Sequence, residues 1–532
     1  MQVAYTDTAG VTYRASVATA SRTDLPLLPL DLSGYRGAQR VVQAYGRLRD
    51  ATGKKKGPNL LCVAYLSEDD RLWLEISVGS EAIRDPIPGM QGELSIVLNG
   101  VPLYAGACSC PDETGVALRV GTPFPIFLEH LVSRLCQRIP SFRVTREALQ
   151  AWCSRVDPDP YWNTHQTGSP RNAFWPLDFV YYVQSGDQRC LDHLSDFVLA
   201  QYGFIGRDGQ FRPGRPYHLA QDNGEPWRYG VDYRVDPDSS RPAEMFQGRP
   251  LIFSEGSDTL GRRAFFPGGL PPTPRNGYDH EHMEVERLFA AAILLRSERA
   301  RRDLIHLGEA LWSQHWGIYH SSRTLGWNLR LYVRLYQVFG SDIYRERIDE
   351  ILTRAWENRN WKGTSPLPCL QTREHEKGGV PGHTWEATWQ VSTVGTAAYE
   401  AYQQFVAEER EELATKARRL LLHAAECCRI GWRPREGGMA DSYEVFSETE
   451  AGSGIPARYH GTQMLGVGMW PTATLALAFA VSNDREILEP ALELARYAAR
   501  TKVSGHFVNG ARSWALPFFL DADRILKIPI PP

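Results

Sequence analysis

Five stretches of the chain repeat one pattern: an apolar, aromatic-rich helix, a short charged turn and a second amphipathic helix. The turns are Ser185-Gly186-Asp187-Gln188-Arg189, Arg296-Ser297-Glu298-Arg299, Gly340-Ser341-Asp342, Ala407-Glu408-Glu409-Arg410 and Ser482-Asn483-Asp484-Arg485. A helix pair cannot bury its apolar face alone, so a degenerate repeat of such pairs marks a stacked or closed architecture. The pairs cover roughly 172–203, 280–316, 323–358, 390–430 and 464–500.

The clearest pair is 323–358. Leu325, Leu329, Tyr332, Val333 and Tyr336 fall on one helical stripe. Gly340 ends that helix, Ser341 suits the next N-cap, and Tyr344, Ile348, Ile351, Leu352 and Ala355 repeat the spacing. First helices carry small residues, as in Thr393-Val394-Gly395-Thr396-Ala397, which allow close approach. Second helices carry charge clusters, as in Glu408-Glu409-Arg410-Glu411-Glu412, which suit a solvated face. An inner and an outer ring of helices follow, with ligand sites expected where the inner helices begin.

Residues 1–122 read as β structure. Leu60–Leu66 and Leu72–Val78 have strand composition, and Asn99-Gly100 between two apolar runs is a strong hairpin signal, since both residues tolerate positive φ. A sandwich of short antiparallel strands is the simplest reading. The stretch 204–277, rich in Pro, Gly, Arg and aromatics, interrupts the helical repeat. A loop of that length is usually functional, and it is expected to lie over one mouth of the ring.

The formal net charge of -3 argues against a dedicated nucleic-acid binder, which would usually show a basic domain. No apolar run reaches the ~20 residues of a membrane span, and the N-terminus lacks the pattern of a secretory signal. A cytoplasmic or virion-associated protein is expected. Nine cysteines show no zinc spacing; Cys108-Ser109-Cys110 is isolated and Cys427-Cys428 are adjacent, so reduced thiols are expected and no cofactor is implied.

A polar-aromatic cluster precedes each inner helix. The first holds Asn172 and Trp175. The densest is Tyr278-Asp279-His280-Glu281-His282. It reads three ways. As a metal site it would use His280 and His282, although i, i+2 residues do not share a helix face. As a catalytic cluster it offers Tyr278 and the histidines for proton transfer, with Asp279 or Glu281 orienting them. As plain capping, its acids suit a helix N-terminus. Arg323, Trp327 and Asn328 open the third inner helix, and His383, Trp385 and Glu386 stand before the fourth. Arg458, Tyr459, His460 and Gln463 stand before the fifth, with Arg512 and Trp514 after the last pair. Trp suits sugar stacking, and Arg suits a substrate carboxylate. Packing and capping remain the alternative for each.

The helical part resembles the (α/α) toroid superfamily of carbohydrate-active enzymes, which includes polysaccharide lyases, unsaturated glucuronyl hydrolases and related glycoside hydrolases. The Tyr278–His282 opening and Gly326-Trp327-Asn328 look like the catalytic toroid of exo-acting rhamnogalacturonan lyases. The resemblance covers 123–532 in architecture, and its motifs are short. It implies a base among His280 and His282, an acid in Tyr459, and neutralisation of a uronate carboxylate by Arg323, Asn328 or Arg458. A hydrolase on the same scaffold would instead draw two carboxylates from Asp279, Glu281, Glu386 and Glu444.

The expected fold is multidomain α+β: an antiparallel β-sandwich at 1–122 and an α/α toroid at 123–532. The expected function is breakdown of a polysaccharide or oligosaccharide, with β-elimination on a uronate-containing glycan ahead of hydrolysis. Another class stays open: a non-catalytic carbohydrate-binding or structural protein, for example of a phage particle. An isomerase or epimerase on free sugars is a third. The expected partner is a glycan, with neither nucleic acid nor membrane; self-association as a homo-oligomer or virion assembly is the other partner expectation.

Overall fold

The computed structural model describes residues 1–16, 38–67, 72–79, 90–110, 115–121, 145–153, 203–205, 211–212, 285–295, 297–313, 322–357, 373–374, 384–385, 388–433, 438–439, 465–500 and 525–527, with single positions between 182 and 198 and at 318. The chain divides into two compact units. The first takes in 1–131, 185–279 and 287–314; the second takes in 132–184, 280–286 and 315–532.

The first unit is built on one ten-stranded sheet. Its strands are β1 (Gln2–Asp7), β2 (Thr12–Ser16), β3 (Ala38–Arg49), β4 (Lys56–Ser67), β5 (Leu72–Gly79), β6 (Met90–Leu98), β7 (Val101–Cys110), β8 (Val116–Val120), β9 (Gly203–Ile205) and β10 (Phe211–Arg212). The order is β10-β9-β8-β5-β4-β3-β2-β1-β6-β7, antiparallel except for β8–β9. The expected antiparallel β structure is present. It is one continuous sheet instead of the two separate sheets of a sandwich, and β7 comes back beside β9, close to a barrel. Its long central pair, β3–β4, carries two register shifts, and bulges add the twist that lets a sheet coil. Asn99 and Gly100 both have positive φ, 48° and 83°, and join β6 to β7 as the sequence predicted.

Alternation along β4 and β5 decides what covers this sheet. Leu60, Cys62, Leu74, Ile76 and Val78 enter the inner core with Val3, Leu94 and Ile96. Leu61, Val63, Tyr65, Trp73, Glu75 and Ser77 are on the other face and are buried too. Tyr65 and Trp73, register partners, stack at 4.0 Å. That second face meets helices from later in the chain. Ser297 stands before α1 (Glu298–Ser313), where its Oγ accepts from the Ala300 amide at 3.2 Å. The same hydroxyl donates to the Glu75 carboxylate, 3.0 and 3.2 Å from its oxygens. Arg119, register partner of Glu75, donates to Asp192 at 2.8 Å, beside the helical, buried Leu191, Leu194 and Val198. Helical residues near 191–198 and 298–313, read from sequence as parts of ring pairs, are therefore packed with the sheet. So are β9 and β10 at the start of 204–277; the rest of that stretch lies outside the described residues.

Ser297 serves as both cap and partner to a buried carboxylate. Ser297→Ala is expected to lower stability by about 2–3 kcal/mol, and Ser297→Thr by less than half as much. Denaturant midpoints of the two variants check this.

Among the described residues, Cys62, Cys108, Cys427 and Cys428 are buried and form no disulfide, as expected of reduced thiols. Burial pushes the Cys62 thiol up to about 12 and that of Cys108 to about 11, so neither is a nucleophile near neutral pH.

Among its described residues the second unit has three helix pairs: α2 (Ser322–Phe339) with α3 (Asp342–Glu357), α4 (Thr388–Ala407) with α5 (Glu411–Gly431), and α6 (Leu465–Ser482) with α7 (Arg485–Arg500). Each turn holds one left-handed residue: Gly340 at φ 62°, Glu409 at 57° and Asn483 at 59°. These are C-terminal caps; Gly340 N–H donates to Tyr336 O at 2.7 Å and Asn483 N–H to Phe479 O at 2.7 Å. Asp484 then caps α7, its carboxylate accepting from the Glu486 amide at 2.9 Å.

The first two pairs are copies in space. Arg330 reaches Thr396 and Arg334 reaches Glu400, each 66 residues on, while Gln337 reaches Gln404 and Asp349 reaches Lys416, each 67 on. A constant offset means that α2 and α4 run parallel, as do α3 and α5. From Thr324 to Val338, α2 is buried throughout, wider than one stripe, because it packs on both α3 and α4. The outer helices keep an exposed face. Small residues set the inner spacing. A Cβ on Gly326 would stand 2.2 Å from Thr393 Oγ1 and 2.6 Å from the Thr393 carbonyl carbon; one on Gly395 would stand 2.5 Å from Thr474.

The third pair departs from the repeat. Arg429, at the end of α5, is held above its usual range first by Glu426 and further by Glu486 and Asp484. The α6–α7 turn is therefore beside the end of α5. The other two turns meet at the opposite end, where Tyr336 donates to Glu408 at 2.8 Å.

Candidate functional site

Two contacts place one end of the second unit. Thr393 Oγ1 donates to Ser322 O at 3.4 Å, which sets the start of α2 level with the first turns of α4. Ser392 Oγ is 3.3 Å from Cys428 Sγ, which sets the last turn of α5 at the same level. Two short ladders adjoin this end. β11 (Arg373–Glu374) pairs with β12 (Thr384–Trp385) just before α4, and β13 (Trp432–Arg433) pairs with β14 (Gly438–Met439) just after α5. The expected location, the start of the inner helices, is thus a definite place for α2 and α4.

Of the residues expected there, the structure describes few. Arg323 is half-buried in the first turn of α2. Trp327, one turn on, is 8% exposed and is largely taken up by packing. Asn328 is fully buried, and its amide donates to the Thr324 carbonyl at 2.7 Å, so at least one of its two donors is used within its own helix. Trp385 is in β12 by its backbone, as register partner of Arg373. Arg323, Trp327 and Asn328 lie on the first two turns of one helix, and the backbone of Trp385 is brought to the same end.

Tyr278, Asp279, His280, Glu281, His282, Glu386, Tyr459 and His460 lie outside the described residues, as do Asn172, Trp175, His383, Glu444, Arg458, Gln463, Arg512 and Trp514. No family model, curated protein or solved structure matches this chain. Among the described residues, no group of three or more His, Cys, Asp or Glu could hold a metal ion, and no helix is long and apolar enough to cross a membrane.

The sequence reading passed over the most polar feature of this unit. Along the α2–α4 seam, Arg334 Nη2 donates to Glu400 Oε1 at 2.7 Å, and Arg330 Nε pairs with Oε2 of the same carboxylate at 3.4 Å. All three side chains are at most 1% exposed. Arg330 also donates to Thr396 Oγ1 at 3.0 Å, and Arg334 to Gln337 Oε1 at 2.9 Å. The ladder continues from Gln337 to Gln404, from Gln404 to Glu408 at 2.6 Å, and from Arg410 to Glu408 at 3.0 Å. Burial, and then Glu408, raise the Tyr336 phenol where the ladder reaches the turns. Two guanidiniums converging on one buried carboxylate fix the helices against sliding, and with them the level of the two helix starts. The signal in the sequence is a pair of arginines four apart inside an otherwise apolar helix.

Proposed function

We propose that this chain degrades a uronate-containing glycan by β-elimination, at the end of the second unit where α2 and α4 begin. The observation that carries this reading is the convergence there of Arg323, Trp327 and the Trp385 strand, held level by the Thr393–Ser322 and Ser392–Cys428 contacts. Arg323 supplies a guanidinium for the uronate carboxylate. Neutralising that carboxylate acidifies the proton on the adjacent carbon. His280 or His282 takes the proton, the bond to the glycosidic oxygen breaks, and the protonated imidazole returns a proton to the departing oxygen. One chain end gains a carbon–carbon double bond and the other a free hydroxyl.

The architecture that goes with this reading is an α/α ring of which α2–α3 and α4–α5 are two steps. Their constant offset and small-residue crossing support it; the α6–α7 pair stands outside that repeat.

Purified protein incubated with pectic, alginate and glycosaminoglycan chains is expected to raise ultraviolet absorbance and reducing ends together. Reducing ends without absorbance would replace elimination by hydrolysis through Asp279, Glu281, Glu386 or Glu444. Silence in both overturns the enzyme reading. A second reading, a non-catalytic carbohydrate-binding or structural component, is favoured by one observation: Trp327 is largely buried and Asn328 fully so, which leaves less of this end to a substrate.

A further inference from the structure

We propose that the outer face of the β2–β3 pair, together with the tip of the β3–β4 hairpin, is a binding face for an acidic polysaccharide. The choice of polymer rests on the reading of this chain as a glycan-degrading protein; the cationic face itself stands on the first unit alone.

The whole chain has a formal net charge of -3, yet residues 47–56 hold five cations and one acid. Strand alternation sets their direction. Leu48 enters the inner core of the sheet, so Arg47 and Arg49 on either side of it turn outward. Tyr13 and Ala15 pack on the same core, so Arg14 between them also turns outward, and it is exposed. Arg14 and Arg49 are register partners on neighbouring strands. Like charges directly opposite one another cost stability, and among the described residues no carboxylate pairs with either of them. The acid within the stretch is engaged elsewhere. Asp50 accepts from Thr52 Oγ1 at 2.9 Å and from the Lys55 amide at 3.2 Å, so its carboxylate closes the hairpin turn, in which Gly53 has φ 70°. Arg49 donates to the Gly53 carbonyl at 3.0 Å, and Arg47, half-buried, to the Gly57 carbonyl at 3.1 Å. Lys54 and Lys55 are exposed at the tip. Asp7, at the end of β1, accepts from the Ala9 and Val11 amides of its own turn. Glu93, exposed on β6, is two strands away from β2.

A polyanion lying over Arg14 and Arg49 offsets their mutual repulsion. A guanidinium meets a carboxylate through two parallel hydrogen bonds and keeps its charge at every working pH. A basic run on a folded surface is a footprint shared by nucleic-acid and acidic-glycan sites, and the surroundings decide between them. The rest of this face is hydroxyl and amide: Gln2 is in register with Ser16, and Thr6 with Thr12. Such groups suit the hydroxyls of a sugar chain. A single-stranded nucleic acid is held by stacking on aromatic rings as well as by cations, and none of the described residues of this face is aromatic. Tyr13 packs on the core, where it stacks on Tyr5 at 6.1 Å.

The test is fluorescence polarisation of labelled polygalacturonate, chondroitin sulfate and heparin chains titrated with the full protein, with dextran as neutral control and oligothymidylate as nucleic-acid control. At least one acidic glycan is expected to bind, and to weaken as salt is raised. The R14T/R49T/K54S/K55S variant is expected to bind it about tenfold more weakly. All four positions are exposed and threonine suits a strand, so this variant is expected to match or exceed the denaturant midpoint of the parent, Arg14 no longer opposing Arg49. Where it fails to fold, K54E/K55E, confined to the hairpin tip, takes its place and is expected to weaken binding about threefold or more. No binding of any acidic glycan, equal binding of dextran, or an affinity unchanged in the variants overturns the proposal. Oligothymidylate binding tighter than every acidic glycan also overturns it, and makes the face a nucleic-acid site. The absorbance assay separates the two readings. Turnover by the parent with glycan affinity unchanged in the variant removes this face alone. Salt-sensitive binding that the variant loses, without turnover by the parent, removes the lyase alone.

Discussion

Glu400→Leu is expected to be the most damaging single substitution in the second unit, lowering its stability by about 3–5 kcal/mol. The carboxylate is 1% exposed and receives both Arg334 and Arg330. Its removal keeps two guanidiniums in a place without water and takes away the anion on which they converge. The cost is therefore that of stranded charge more than of lost attraction. The triple variant R330M/R334M/E400L separates the two. Burying an ion pair is expensive to begin with, so apolar replacement of all three groups is expected to restore stability to within about 1–2 kcal/mol of the parent, or above it. Denaturant midpoints of the parent, the single and the triple variant check this. A triple variant as unstable as the single one would mean that the triad stabilises outright.

Gly326→Ala is expected to cost about 3 kcal/mol, although alanine is the better helix former. The added methyl group meets Thr393 Oγ1 at 2.2 Å, and behind it the backbone of Thr393 and Val394 at 2.6 and 2.7 Å. A side chain can turn away; a helix backbone cannot, so α2 and α4 must separate. Thr393→Ala added to Gly326→Ala removes the hydroxyl and leaves the backbone in place. The double variant is expected to remain at least as unstable as Gly326→Ala. Rescue by the double variant, measured as recovery of the denaturant midpoint, would show that the hydroxyl alone limits the approach.

Much of this fold is legible in the sequence because its signals are local. The stripe from Leu325 to Tyr336 marks α2, Gly340 marks its end, and Asn99-Gly100 marks the β6–β7 turn. Each depends on residues within a few positions. What covers an apolar face is not local. The helical periodicity near 191–198 and 298–313 reports only that an apolar face exists; that it lies on β5 and β8, through Glu75 and Arg119, depends on partners far away in the chain. Arg330, Arg334 and Glu400 were missed for the same reason: alone, each is a charge on a helix, and the triad exists only once α4 lies beside α2. Of the residues expected at the inner-helix starts, the structure describes Arg323, Trp327, Asn328 and the backbone of Trp385. Those expected to move protons, His280, His282 and Tyr459, lie outside the described residues.

The bond between Ser297 and Glu75 spans 222 positions. During synthesis, at about 5–20 residues per second, β5 therefore waits roughly 10–45 s for the helix that shields it. Through that interval the face with Leu61, Val63, Tyr65 and Trp73 lacks α1, with the helical residues near 191–198 made earlier. A fragment ending near residue 122 would keep that face bare for good and is a poor choice for separate expression. Such a half-covered sheet face is open to aggregation until α1 arrives.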